Sequence, residues 1–181
     1  MSTPPDPPSA RDNTVAAELF AQVYARLKAM AAKQRAAGAA SATLETTALV
    51  HELYLRMCAN RELAFEHEAQ FFAYAARAMR HLLADRARAR LRQRAGGDWA
   101  RVTLTGGDHQ FALDSAEQAL ALDAALRRLE ADDARAGQVF ELLYFAGLTI
   151  DQAAAALALG PSSVDRDWRF ARAFLRNEVS R

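Results

Sequence analysis

Arginine is the residue type that gives this chain its chemistry, and it recurs at helical spacing in two places. In "TIDQAAAALALGPSSVDRDWRFARAFLR", residues 149–176, Arg166, Arg169, Arg172 and Arg176 return every three or four positions. At about 100° per residue they gather on one part of a helical wheel, while Val164, Trp168, Ala171 and Leu175 fall within roughly 60° of arc on another. A guanidinium grips phosphates or reads a guanine edge, and serine is a tolerant reader of base edges. Ser162, Ser163, Arg166 and Arg169 lie near the start of this helix, the part that enters a DNA groove. A packed hairpin with a solvated arginine face would share the charge pattern. The turn between the two helical patterns favours DNA. Ala154 stands four residues after Ile150 and Val164 fourteen after it. A helix-turn-helix needs a small residue at the first place, so the helices approach, and an apolar one at the second, to lock their angle. Trp168 lies on the apolar stripe and is expected in the core rather than stacked on a base.

The second basic element spans residues 77–94, with seven arginines and one acid, Asp85. Arg77, His81 and Arg88 share one side of a helical wheel, flanked by Arg80, with Phe71, Ala75 and Leu82 opposite. Such a helix neutralises several phosphates, although a solvated charged helix would look similar. The preceding loop, "NRELAFEH", sets Asn60, Arg61 and His67 among apolar and aromatic side chains and is suited to holding a base swung out of its stack.

Enzyme chemistry finds no support. "HELYL" at His51 lacks the second histidine of a zinc protease motif. His67, His81 and His109 are scattered, and Cys58 is the only cysteine, so no zinc cluster forms. The Gly-Gly pairs lack a following Lys-Thr or Lys-Ser, and no Ser-His-Asp set stands out. No catalytic residue, metal or cofactor is expected.

The elements that must position these residues read as helices. Hydrophobic residues make up 51% of the 181, much of it alanine, which favours small helical lobes with a thin core over a sandwich. No run of alternating β-branched residues marks a sheet. The first 13 residues, "MSTPPDPPSARDN", hold four prolines and are expected to be disordered. Helical patterns follow through Val15, Leu19, Val23, Leu27 and Met30, then from Thr46–Thr47 through Leu49, Val50, Leu53, Tyr54 and Met57. A long helix begins near Phe71, with Phe71, Phe72, Ala75, Met79, Leu82 and Leu83 as its stripe. Residues 96–116 carry two Gly-Gly pairs and no period, and read as a linker. Beyond it, Ala119, Leu122, Leu126 and Leu129 mark one helix and Val139, Phe140, Leu143 and Tyr144 the next, with Asp132 or Asp133 as its cap and Gly147 as its stop. Thr149 caps a helix over 150–157, Gly160 supplies a turn or cap, and Pro161 takes a first helical position.

The expected fold is all-α: a helical domain over residues 14–95, a flexible linker over 96–116, and a helix-turn-helix domain over 117–181. Net charge is +1, yet the basic stretch is concentrated, so the rest of the chain is net acidic and suits a protein partner as well as DNA. Cys58 reads as a small buried hydrophobe, and a lone cysteine fits a reducing cytoplasm. No window approaches about 18 apolar residues, so no membrane span is expected.

The order and separation of "TTALVHELYLRM", "FFAYAARAMRHLLADRARARLRQR" and "LLYFAGLTIDQAAAALALGPSSVDRDWRFARAFLR" resemble an extracytoplasmic-function (ECF) sigma factor over residues 15–179, most closely the branch with "TALVHE" and "RDWRFARA". The resemblance implies a bacterial initiation factor that binds core RNA polymerase and directs it to promoters. It implies that helix 47–57 docks on the β′ clamp through Leu49, Glu52, Leu53 and Arg56. Asn60, Arg61, His67, Arg77, Arg80, His81 and Arg88 would read and melt the −10 element. Ser162, Ser163, Asp165, Arg166 and Arg169 would read the −35 element, with the last domain facing the β flap and the linker running toward the RNA exit path. Asp165 stands where the family usually has a basic residue. The family's docking helix usually opens with acids, where Glu45, Thr46, Thr47 and Ala48 stand here. A phosphate on Thr47, or on Thr46, would restore negative charge at a helix N-terminus that favours it, which points to control by a Ser/Thr kinase. An anti-sigma factor is the other expected type of regulator. A helix-turn-helix regulator acting without core polymerase is the alternative reading, and a helical interaction protein a third.

Overall fold

Each apolar stripe read from the sequence beyond residue 68 turns inward on its helix. The computed structural model describes Ala21, Ala48 and residues 51–53, 55–56, 65, 67–92, 102–103, 112–113 and 115–179. Helix α1 runs Glu68–Arg92, and Phe71, Phe72, Ala75, Met79, Leu82 and Leu83 are all buried on it. It starts three residues before the expected position. Glu68 in its first turn and Arg90 and Arg92 in its last complement the helix dipole.

The segment expected to be a patternless linker contains a short antiparallel ladder. Strand β1, Val102–Thr103, pairs with β2, Ala112–Leu113, with Val102 opposite Leu113 and Thr103 opposite Ala112. Two residues per strand are too few to show alternation, so the ladder left no period to read. Leu113 is fully buried. With strands this short the fold remains all-α.

Helix α2, Ala116–Asp132, is capped by Ser115, whose hydroxyl accepts from the Gln118 amide at 3.2 Å. Ala119, Leu122, Leu126 and Leu129 form its buried stripe. Asp133 ends α2 and caps α3, Ala134–Phe140, by accepting from the Ala136 amide at 3.0 Å. Helix α3 runs into a π-helical turn, Glu141–Phe145, closed by the Ala146 amide donating to the Glu141 carbonyl at 3.3 Å. All five residues of this turn are buried. Gly147, with φ of 69°, stops it in the left-handed region where glycine is at no disadvantage.

Thr149 caps α4, Ile150–Leu157, through a complete capping box with Gln152. The left-handed residue after α4 is Ala158 (φ 52°), not Gly160. An alanine there costs about 1 kcal/mol, and the Leu159 amide donating to the Ala154 carbonyl at 2.9 Å helps hold the turn. Helix α5, Pro161–Val179, opens on its proline as expected and buries Val164, Trp168, Ala171 and Leu175. Phe140 stacks on both Tyr144 and Trp168, at centroid distances of 5.1 and 5.3 Å. One apolar cluster runs from Leu53 through α1 and Leu113 to α5. Helix α1 packs directly on α2 and on the π-helical turn.

Candidate nucleic-acid interface

Burying Val164, Trp168, Ala171 and Leu175 forces the rest of α5 outward. Arg166 and Arg169 are 71% and 77% exposed in their side chains. Ser162 is exposed, while Ser163 and Asp165 are half-buried. Asp165 accepts an ion pair from Arg169 Nη2 at 2.8 Å, one helical turn along, so the acid steadies an arginine on this face. Arg172 departs from the expected cationic stripe: its guanidinium lies over the Trp168 ring, 5.4 Å from the centroid. At roughly 100° per residue, position 172 falls nearer the apolar arc than Arg166 and Arg169 do, and the tryptophan face attracts the cation.

Phe170 adds to this face, and Asp167 supports it from beneath. Phe170 is 49% exposed, beside Arg166 and Ser163 on the wheel. An exposed phenylalanine four residues after an arginine on a cationic face was the available signal. Asp167 is buried and accepts from Arg135 Nε at 2.6 Å and from Arg135 Nη2 at 3.1 Å. This bidentate pair ties α3 to α5 and sets the direction in which α5 presents its arginines. The hydrogen bonds to Asp167 raise the Arg135 pKa above its ordinary value.

The basic helix α1 divides. Arg77 and His81 are exposed, and Arg88 is exposed but paired with Asp85 at 2.9 Å. Arg80, expected on the open face, is buried among carboxylates instead. Its Nε donates to Asp123 Oδ1 at 2.9 Å, its Nη1 to Glu130 at 2.6 Å and Glu141 at 2.8 Å, and its Nη2 to the Asp123 carbonyl at 3.1 Å. Burial alone would lower the Arg80 pKa, but the bonds to Glu141, Glu130 and Asp123 outweigh it and hold the pKa above the ordinary value. Burial pushes the Glu141 carboxyl up, against the pull of Arg80. Beside this cluster opens a cleft of about 530 Å³ lined by Arg77, His81, Arg127 and Gln138 among others.

His67 is exposed just before α1. Asn60 and Arg61 lie outside the described residues, as do Thr46, Thr47 and Leu49. Of the other residues implied in docking, Leu53 is buried in the core, while Glu52 pairs with Arg56 at 3.0 Å and Arg86 at 3.4 Å. Leu55 beside them is 61% exposed. Among the described residues no cluster of His, Cys, Asp or Glu is placed to hold a metal, and no helix is long and apolar enough to cross a membrane.

An outward arginine face on the second helix of a helix, turn, helix arrangement is the architecture of a DNA-binding protein. Residues 9–181 match the family model of the ECF sigma factor, and the chain belongs to that family. It is therefore a sigma factor of transcription initiation, a DNA-binding protein rather than an enzyme. No curated protein and no solved structure matches it.

Proposed function

We propose that this sigma factor binds core RNA polymerase in the cytoplasm and directs it to promoters, using residues 117–181 for the −35 element and residues 14–95 for the −10 element. The observation that carries this reading is the outward face of α5. Arg166 and Arg169 are exposed cations on it, and four side chains on the opposite face anchor the helix in the core. On this reading Ser162, Ser163, Asp165, Arg166 and Arg169 meet the −35 duplex, with arginine to phosphate or guanine and Asp165 aligning Arg169. Phe170 adds apolar contact of the kind that suits a thymine methyl.

Helix α1 and the loop before it serve the −10 element, through Asn60, Arg61, His67, Arg77, Arg80, His81 and Arg88. The segment around Glu52 and Arg56, with Leu49, docks on the β′ clamp. Buried Leu53 anchors that segment, and exposed Leu55 offers the apolar contact a partner would cover. The last domain faces the β flap. A Ser/Thr kinase acting on Thr47, or on Thr46, supplies the charge that this docking helix lacks, and an anti-sigma factor is the competing form of control.

Reconstituted transcription with core polymerase on a genomic library tests the reading. The expected result is a set of discrete new start sites that need both proteins. Transcripts identical to those of core polymerase alone would overturn it.

A further inference from the structure

Three helices each send a pair of residues to the cleft beside Arg80. Arg77 and His81 stand one turn apart on α1, Arg127 and Glu130 on α2, and Ala134 and Gln138 on α3. Residues three or four apart share a helix face, so each helix gives the lining one continuous edge. The hollow of about 530 Å³ lies in the range, roughly 300–1,000 Å³, that holds small organic ligands. Its charges are sorted by depth. Buried Arg80 is engaged by Asp123, Glu130 and Glu141. Arg77 and Arg127 stay 66% and 65% exposed in their side chains. Arg77 Nε approaches Glu141 only to 3.8 Å, and Arg127 gives one nitrogen to Asp123 at 2.8 Å, so both keep donors for an anion. Glu130 gives one oxygen, Oε1, to Arg80 and is partly exposed, so its second oxygen can accept from a ligand. His81 and Gln138 are exposed, and among the described residues neither side chain has a partner. A Cβ on residue 137 would lie 2.8 Å from Glu130 Cγ, so Gly137 is what lets α3 close against this carboxylate.

A plain anion would leave half of this lining unused. Phosphates suit Arg77, Arg127 and His81, whereas the Glu130 carboxylate repels an anion and requires N–H donors. The Gln138 amide both donates and accepts. Guanine carries the complement on one edge: an N1–H and a 2-amino group for a carboxylate, and O6 for an amide N–H. Adenine and cytosine set a ring lone pair against the carboxylate, and uracil and thymine flank their single N–H with carbonyls. Guanidinium planes also stack on bases. We propose that this cleft is a guanine-nucleotide site, with Glu130 and Gln138 on the base edge and Arg77, Arg127 and His81 on the phosphates. The site stands apart from the −10 assignment, because a free nucleotide binds it without DNA or polymerase. Its lining joins residues 77–81 to residues 127–138, so a bound nucleotide stabilises the fold by mass action.

The test is calorimetric titration of the full chain with GDP, ADP and pyrophosphate, with EDTA present so that the affinity belongs to the side chains. GDP should bind about tenfold or more tightly than either of the others, since ADP leaves the carboxylate mispaired and pyrophosphate leaves it unpaired. GDP should also raise Tm. Arg77→Gln and Gln138→Leu should each weaken GDP about five- to tenfold. Gln138→Leu should leave pyrophosphate affinity unchanged, which separates the base edge from the phosphates. Arg92→Gln removes the same charge as Arg77→Gln about four turns along the same helix and should leave GDP affinity unchanged. The comparison of the three ligands uses the unaltered chain, so it decides even if a variant fails to fold. No binding at millimolar GDP would overturn the site. ADP or pyrophosphate bound as tightly as GDP would overturn the guanine assignment. An equal loss in Arg92→Gln and Arg77→Gln would overturn the placement in this cleft.

Discussion

Arg135 holds Asp167 with two parallel bonds, at 2.6 and 3.1 Å, and through them α3 fixes the pose of α5. Asp167 lies on α5 between the buried stripe and the exposed arginines, so the pair links the core to the outward arginine face. Arg135→Ala leaves a buried carboxylate without its fork and is expected to lower Tm. It should also weaken −35 duplex binding, although Arg135 is not assigned to DNA. Arg135→Lys should recover part of the loss, since an ammonium does not reproduce the planar fork. Thermal unfolding and duplex titration check both effects. Equal Tm and affinity in Arg135→Ala would remove the pair from any positioning role.

An aromatic stack joins Trp168 of α5 to Phe140 and Tyr144. Phe140 lies between Tyr144 and Trp168 and is fully buried. Phe140→Ala should cost about 3–5 kcal/mol of stability, from lost transfer energy and the cavity left behind. Urea unfolding monitored by the buried tryptophan is the measurement. A cost below about 1 kcal/mol would mean that the site collapses around the gap.

On the outward face, Arg166→Ala or Arg169→Ala should cost about 1–3 kcal/mol of −35 binding if the side chain reads a base, with relaxed preference at one position. A phosphate contact would instead weaken all sequences alike and reduce the salt slope by about one unit. Phe170→Ala should lose discrimination for thymine over cytosine at a single position and leave the salt slope unchanged. A selection from randomised duplexes, repeated at two salt concentrations, separates these outcomes. No change in any of the three variants would exclude this face.

Thr47 is expected to carry the kinase signal. In a host that holds the kinase, Thr47→Ala should abolish promoter activity with little change in folding, and Thr47→Asp should partly restore polymerase binding. Loss of a threonine cap alone costs roughly 0.5–2 kcal/mol, so unfolding curves distinguish a lost cap from a lost switch. Normal transcription by Thr47→Ala would sink the switch.

Glu141 faces Arg80, Arg77 and Glu130 from inside the core, and burial raises its pKa. The folded form therefore binds a proton more readily than the unfolded chain does. Such a group contributes stability that is complete below the unfolded value, about pH 4, and is lost as pH rises through the folded value. Stability of the native protein should fall over that window relative to Glu141→Gln, which cannot titrate. Urea unfolding of both proteins across mildly acid pH gives the difference. Parallel curves would show that Arg80 cancels the burial.

Local pattern alone determined the helices from residue 68 onward, because each obligation lies within a few residues. Thr149 caps the helix that Gln152 helps to close, Asp133 caps the next, Gly147 stops a helix in a left-handed turn, and the stripe of α5 shows which arginines must face out. The short ladder near residues 102 and 113 left no such signature, and the left-handed residue is Ala158 although glycine is the usual occupant of such a cap. The partners of the charges were a matter for tertiary structure. Arg80 and Glu141 are 61 positions apart, and Arg135 and Asp167 are 32 apart. A helical wheel reports the face on which an arginine sits, but it carries no term for what packs against that face. Arg80 and Arg77 read alike in the sequence; burial under α2 and the π-helical turn separated them, because a carboxylate brought from a distant segment is decided only when the chain closes.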